Sequence, residues 1–284
     1  MNKVKIITDS TCDLGRSITE KYDIEVLPLY VNFGEESYKD GVNITTEELY
    51  KKVKEKDELP KTSALDIVTL TETFKKWLDL GYDIIFTGIS RQMSRTFENA
   101  IMAKEELESD RIYIVDSKNL STGIGLTVLK ACDYRDQGLS AKEIVDKMNV
   151  ITDKVKAQFA IETMEYLHKG GRCSSVAKIF GTMLKIKPII FVREGKMSVG
   201  MKPMGKMRVA LDKMIDMFLN DYKNGNVDTD KVFITHSIAL ESEKYIRERL
   251  EAEVKDMEII STVAGCVISS HCGPGTIGIL YITK

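Results

Sequence analysis

The sequence predicts an α/β fold in two domains. The N-terminal one, residues 1–152, is a three-layer α/β/α unit on a parallel sheet; the C-terminal one, residues 153–284, is an α+β unit with a mixed sheet. Two observations carry this reading. Up to residue 137, short β-prone runs alternate with helical stretches of about 10–15 residues, the pattern of a parallel sheet covered on both faces. Past Lys154 the order changes. Apolar runs flank Glu194-Gly195, a two-residue hairpin signal, and the helices stand apart, which suggests a mixed sheet. The chain of 284 residues suits two units of ~150 each.

The elements follow in order. Val4–Thr8 is apolar and β-rich, and Leu14–Tyr22 reads as a helix. Ile24–Phe33 is β-prone but interrupted by Pro28. Thr45–Lys56 is helical, with Thr45 and Thr46 as N-cap candidates and Glu48 in the first turn. Val68–Leu80 is an amphipathic helix, Asp83–Gly88 a short buried strand, Ser94–Leu107 a helix, Arg111–Asp116 a strand and Ser121–Gln137 a helix. In the second half Val155–Ile161 is strand-like, and Thr163–Lys169 is a helix stopped by Gly170-Gly171. Ile189–Arg193 and Lys196–Met201 form the hairpin, and Met207–Asn220 carries a broad apolar helical stripe. Lys231–Thr235, Met257–Thr262 and Gly278–Thr283 are further strands.

Composition narrows the function classes. With 43% hydrophobic and 30% charged residues the chain reads as an ordinary globular protein. A net charge of −2 gives no electrostatic reason to expect nucleic acid. No apolar run approaches the ~20 residues of a membrane helix, and nothing near Lys3-Val4-Lys5 resembles a signal peptide, so a cytoplasmic location is expected. Five cysteines without C-x-x-C spacing point to free thiols rather than to disulfides or zinc.

The most distinctive segment is Ser269-Ser270-His271-Cys272-Gly273-Pro274-Gly275-Thr276-Ile277-Gly278, expected as a loop. It holds one of three histidines and spells G-x-G-x-x-G. A dinucleotide fingerprint must open a helix after a strand. Here only the six residues of a terminal strand follow Gly278, so the fingerprint reading fails. What remains is an anion cradle of hydroxyls, N–H groups and imidazole, or a plain glycine turn between strands. Other polar segments lie near strand ends and helix starts, where ligands of open α/β sheets bind. They are Thr8-Asp9-Ser10-Thr11-Cys12-Asp13, the Pro60-Lys61-Thr62-Ser63 loop, Ser90-Arg91-Gln92-Met93-Ser94-Arg95-Thr96, and Lys169-Gly170-Gly171-Arg172 followed by Lys187-Pro188. Each taken alone also reads as helix capping. His168 and His236 read as satisfied polar residues rather than ligands. No G-x-S-x-G elbow or Walker loop occurs.

As an ordered set, these segments resemble the DegV family from end to end. The carrying residues are Thr8-Asp9-Ser10, Thr62-Ser63, Ile89-Ser90 with Ser94 and Thr96, and Asp116-Ser117 with Ser121 and Gly123. Tyr166-Leu167 with Lys169-Gly170-Gly171-Arg172, Lys187-Pro188, and His271 with Gly273-Pro274-Gly275 and Gly278 complete them. The resemblance implies a non-catalytic carrier that binds one long-chain fatty acid of the palmitate or oleate class. It implies presentation of the carboxylate to a separate fatty acid kinase subunit that makes an acyl phosphate, with no further cofactor and no metal. By motif, Thr62 and Ser94 would bond the carboxylate, with His271 at the same head-group site and Arg172 placed for the added phosphate. Ser63 and Gly273 complete the candidate set. Membrane insertion is not implied; contact with a membrane surface would be transient.

The chain departs from the family pattern in three places. Arg95 stands where relatives carry a glycine after the binding serine, Ala64-Leu65-Asp66 lacks the usual proline, and the basic segment Lys202–Arg208 aligns poorly. The rival reading is an esterase or acyltransferase with His271 as general base on Ser94 or Ser270.

Overall fold

The computed structural model describes residues 2–181 and 186–284. In the first half the chain runs β1 (Lys3–Asp9), α1 (Arg16–Lys21), β2 (Glu25–Leu27), β3 (Tyr30–Phe33), β4 (Glu36–Lys39), α2 (Thr46–Lys56), β5 (Lys61–Ser63) and α3 (Ile67–Asp79). It continues with β6 (Tyr82–Gly88), α4 (Thr96–Glu106), β7 (Ile112–Asp116), α5 (Thr122–Asp136) and α6 (Ala141–Ile151). The second half runs β8 (Val155–Ala160), α7 (Glu165–Gly170), α8 (Ser174–Ala177), β9 (Ile189–Arg193), β10 (Lys196–Met201) and α9 (Met207–Lys223). It ends with β11 (Val227–Ser237), α10 (Leu240–Glu253), β12 (Glu258–Val263), α11 (Cys266–Cys272) and β13 (Thr276–Thr283).

The fold is mixed α/β. A four-stranded sheet in the order β2-β1-β6-β7 is parallel throughout. Its strands alternate sides as the two-residue pleat requires. Val4, Ile6 and Ile85 pack into the core that contains α5 and α6, whereas Ile7, Ile84 and Phe86 enter the core that contains α3 and α4. Helices therefore cover both faces, which gives the three layers expected. A six-stranded sheet in the order β10-β9-β8-β13-β11-β12 is mixed: β11 and β12 are parallel, and the other pairs are antiparallel. One face of this sheet packs on α9 and α10, the other on α5. Ten of the fifteen residues of α5 are buried, so it is a central helix wedged between the sheets, not an amphipathic surface helix. Position 152 falls in the turn between α6 and β8; the core around α5 runs across it.

Four expectations need correction. The run Ile24–Phe33 is two strands, because Pro28 offers no N–H to continue a ladder. β2 joins the parallel sheet, and β3 turns away into a small antiparallel sheet, β4-β3-β5. The Thr62-Ser63 segment is strand β5 of that sheet rather than a loop, with Thr62 opposite Val31. The segment from Ser269 is not a loop from its start, since Ser269–Cys272 forms the end of α11. Finally, α6 and α10 are helices beyond those expected. Thr45 caps α2 as foreseen, in a capping box whose two bonds, Glu48 N–H to Thr45 Oγ1 and Thr45 N–H to Glu48 Oε2, measure 3.3 and 2.8 Å.

Candidate functional site

A cavity of about 590 Å³ opens between the two larger sheets, beyond the carboxyl ends of β6 and β7. That size lies within the usual range for ligand pockets, about 300–1,000 Å³. Leu29, Met93, Leu120, Phe159, Met197 and Leu280 supply apolar wall, whereas Thr62, Ser63, Ser94, Arg95, Arg172 and His271 supply polar groups. Five of the six candidate residues thus meet at one cavity. Gly273 does not line it: this residue ends α11 with φ +80°, and the Tyr166 ring packs against it.

His271 sits in the last turn of α11, and its Nε2 lies 2.8 Å from Thr62 Oγ1 on β5. Gly170, the last residue of α7, makes this position possible, because a Cβ there would lie 2.5 Å from His271 Nδ1. That Nδ1 is buried without a hydrogen-bond partner. Burial, and after it the Arg172 guanidinium, push the imidazole down to about 4, so the ring is neutral at pH 7. A proton on Nδ1 would find no acceptor, so the one ring proton belongs on Nε2; Thr62 then accepts from the histidine and its own hydroxyl proton is free for a ligand.

Ser94 shows the same economy. Its Oγ accepts from the Thr96 backbone N–H at 3.2 Å and lies 3.0 Å from Thr96 Oγ1. Thr96 is fully buried, and its Oγ1 already accepts from the Leu65 N–H at 3.4 Å. Buried hydroxyl protons find acceptors. Thr96 therefore donates to Ser94, and the Ser94 proton turns to the cavity. The two hydroxyls, from β5 and from the loop that follows β6, make a neutral donor pair at the polar end.

Around them, Ser63 Oγ accepts from Asn32 Nδ2 at 2.9 Å. Arg172 is exposed just past the left-handed cap Gly171 and donates to the Gly170 carbonyl at 2.7 Å, with no carboxylate partner among the described residues. Arg91 pairs with Glu98 at 3.3 Å and stacks over Phe97, while Arg95 is exposed.

The first polar segment is structural. Asp9 caps the turn Ser10–Cys12 and accepts from the Ile89 N–H at 2.9 Å. Asp13 accepts from the Gly265 N–H at 2.8 Å. Asp40 accepts from the Cys266 and Val267 N–H groups at 2.7 and 3.3 Å. Asp13 and Asp40 thus fix the start of α11 and hence His271, although burial raises the pKa of all three carboxyls. Lys187 bonds the Glu162 carbonyl at 2.9 Å. His236 is satisfied, accepting from the Ala239 N–H at 3.3 Å. His168 is not: it stacks on Phe180, and its buried Nδ1 has no partner. The five cysteines are free and buried, no acidic or histidine cluster among the described residues suits a metal, and no described helix is long and apolar enough to cross a membrane.

Sequence reasoning missed the part of the cavity wall supplied by β8, β10, β11 and β13. Phe159, Met197, Thr235 and Leu280 sit at ordinary inward positions of strands and carry no local signal that separates them from core.

The comparisons with known proteins agree with this geometry. A model of the DegV family matches residues 3–284. A DegV domain-containing protein of Clostridium perfringens is 35% identical over 285 residues, covering 100% of both chains. Among solved structures, a DegV family protein from Thermus thermophilus described for its fatty acid binding superposes with a TM-score of 0.92 at 26% identity, over 99% of this chain and 100% of that one. DegV of Bacillus subtilis, described as a fatty acid binding protein, gives 0.88 at 27% identity over the whole of both chains. With the motifs, the sheet order and a full-length match in accord, the chain belongs to the DegV family.

Proposed function

We propose that the protein binds one long-chain fatty acid. The carboxylate accepts from Thr62 and Ser94 near His271, and the tail lies along the apolar wall. The observation that carries this is the pair of hydroxyls, Thr62 beside His271 Nε2 and Ser94 beside Thr96 Oγ1, lining a largely apolar cavity and each able to turn its proton to a ligand. A carboxylate offers about four acceptor sites, and neutral donors match it while leaving the mouth arginines free. Burying ~14 methylenes at about 0.8 kcal/mol each offers roughly 11 kcal/mol of gross transfer free energy, part of which association and ordering offset. The relatives' descriptions as fatty acid binding proteins support the same reading.

In this reading the protein is a carrier. It holds the carboxylate at a mouth flanked by Arg95 and Arg172, where a fatty acid kinase subunit phosphorylates it. The loaded protein should yield acyl phosphate only when such a subunit and ATP are added. The esterase alternative has little geometric support. His271 bonds Thr62 rather than a serine, Ser270 donates into its own helix at the Cys266 carbonyl, and no carboxylate orients Nδ1.

The test is Thr62→Ala combined with Ser94→Ala. Each lost donor to a charged group costs about 1.5–3 kcal/mol, so palmitate affinity should fall by about 10-fold or more per site. Unchanged affinity in the double variant would remove the proposed head-group site.

A further inference from the structure

We propose that the cavity selects acyl chains that carry an oxygen along the tail, a hydroxyl or keto group, and that Thr235 is the donor that reads it. The proposal rests on the fatty-acid reading above and adds to it a substrate class.

The argument is a count of protons. Thr235 Oγ1 lies 2.6 Å from Thr122 Oγ1 and 3.0 Å from Thr262 Oγ1. Neither Thr122 Oγ1 nor Thr262 Oγ1 has another hydrogen-bond partner among the described residues. Three hydroxyls bring three protons, and two contacts consume two of them. Thr122 is fully buried and Thr262 is 8% exposed; of the three, only Thr235 lines the cavity. Either hydroxyl can donate in each contact; the arrangement in which Thr122 and Thr262 both donate to Thr235 pairs the two protons that do not face the cavity. The Thr235 proton then points at the ligand space.

The other hydroxyls on this wall are already committed. Ser121 donates to Asp13, and Thr276 donates to the Cys272 carbonyl at 2.8 Å. Ser237 is bonded to both Tyr50 and Ser269, at 2.6 and 2.8 Å. Thr235 is thus set apart, a donor on β11 opposite Gly278 of β13, whereas Thr62 stands on β5 of the small antiparallel sheet. A saturated tail leaves it unmatched, and an unmade buried hydrogen bond is costly. An sp³ or carbonyl oxygen at that depth completes the set, whereas an alkene face is a far weaker acceptor.

The test is equilibrium binding of the delipidated protein to stearate and to stearates bearing a single hydroxyl at successive carbons. All the isomers share one solvation cost, so their ratios report position alone. One isomer should bind the unmodified protein about 3- to 10-fold more tightly than the others, the size of one net neutral hydrogen bond. Thr235→Ser should keep that preference, and Thr235→Val should abolish it while stearate still binds. A flat isomer profile in the unmodified protein would overturn the proposal even if the valine variant failed to fold. So would a preference that survives Thr235→Val. Failure to bind any chain, stearate included, would instead refute the fatty-acid reading itself, and the proposal with it.

Discussion

His271 shows how much one residue can depend on its surroundings. Burial, with Arg172 nearby, holds its pKa at about 4, and a ring proton on Nε2 is what lets Thr62 keep a proton for a ligand. The linkage has a definite sign. Between about pH 6.5 and 4 the unfolded chain takes up a proton that folded His271 refuses, so this residue subtracts stability as pH falls through that window. Asp9, raised to about 6 by burial, acts in the opposite sense: it subtracts stability as pH rises from about 3.8 to 6. A pH–stability curve therefore mixes the two, and a direct titration is the cleaner check. NMR of ring-labelled histidine should place the His271 midpoint near pH 4, and Arg172→Ala should raise it. A midpoint at or above 6.5 would contradict the burial assigned to the ring.

At the scale of elements, the loop after β6 that carries Ser94 is held from three directions. The Ser90 N–H donates to the Asn119 carbonyl, Ser90 Oγ donates to the Gly195 carbonyl, each at 2.9 Å, and the Ile89 N–H donates to Asp9. Gly195, at the tip of the β9–β10 hairpin, has φ +76°, and a Cβ there would lie 2.4 Å from Ser90 Oγ. Gly195→Ala should therefore lower both stability, by about 1 kcal/mol, and fatty acid affinity. Gly225→Ala is the control: it meets the same backbone strain at φ +70° with open space around it. It should cost similar stability and leave binding unchanged. Equal affinity in the two variants, measured beside urea denaturation, would show that the hairpin does not position the loop.

The same scale shows why some of the fold was legible and some was not. The parallel sheet announced itself through local alternation, and Thr45 and Glu48 through capping-box spacing. The same signals mark α6, which is not among the expected elements: Ser140 stands three residues before Glu143, with Ile144, Met148 and Ile151 on one face. By contrast α11 is a seven-residue helix whose start is fixed by Asp13 and Asp40, more than 200 residues away in sequence. No local pattern encodes that. Thr62 and Ser94 were readable as members of an ordered motif set. The strand β5 that presents Thr62, and the Gly170 that admits the histidine ring, became visible only when the sheets were assembled.

For the whole molecule, the two sheets meet through α5 and leave between them a cavity with a polar mouth and an apolar interior. Neither half encloses it alone, since Thr62 and Ser94 come from one and His271, Phe159 and Leu280 from the other. A ligand that fills this space should bridge both halves. The central claim is that this ligand is a single long-chain fatty acid. The most direct measurement is mass spectrometry of the lipid released on denaturing freshly purified protein, followed by palmitate and oleate titration of the delipidated chain. The account predicts about one fatty acid per chain and recovery of one-to-one binding. A protein that carries no fatty acid when isolated and takes up neither chain after delipidation would contradict it.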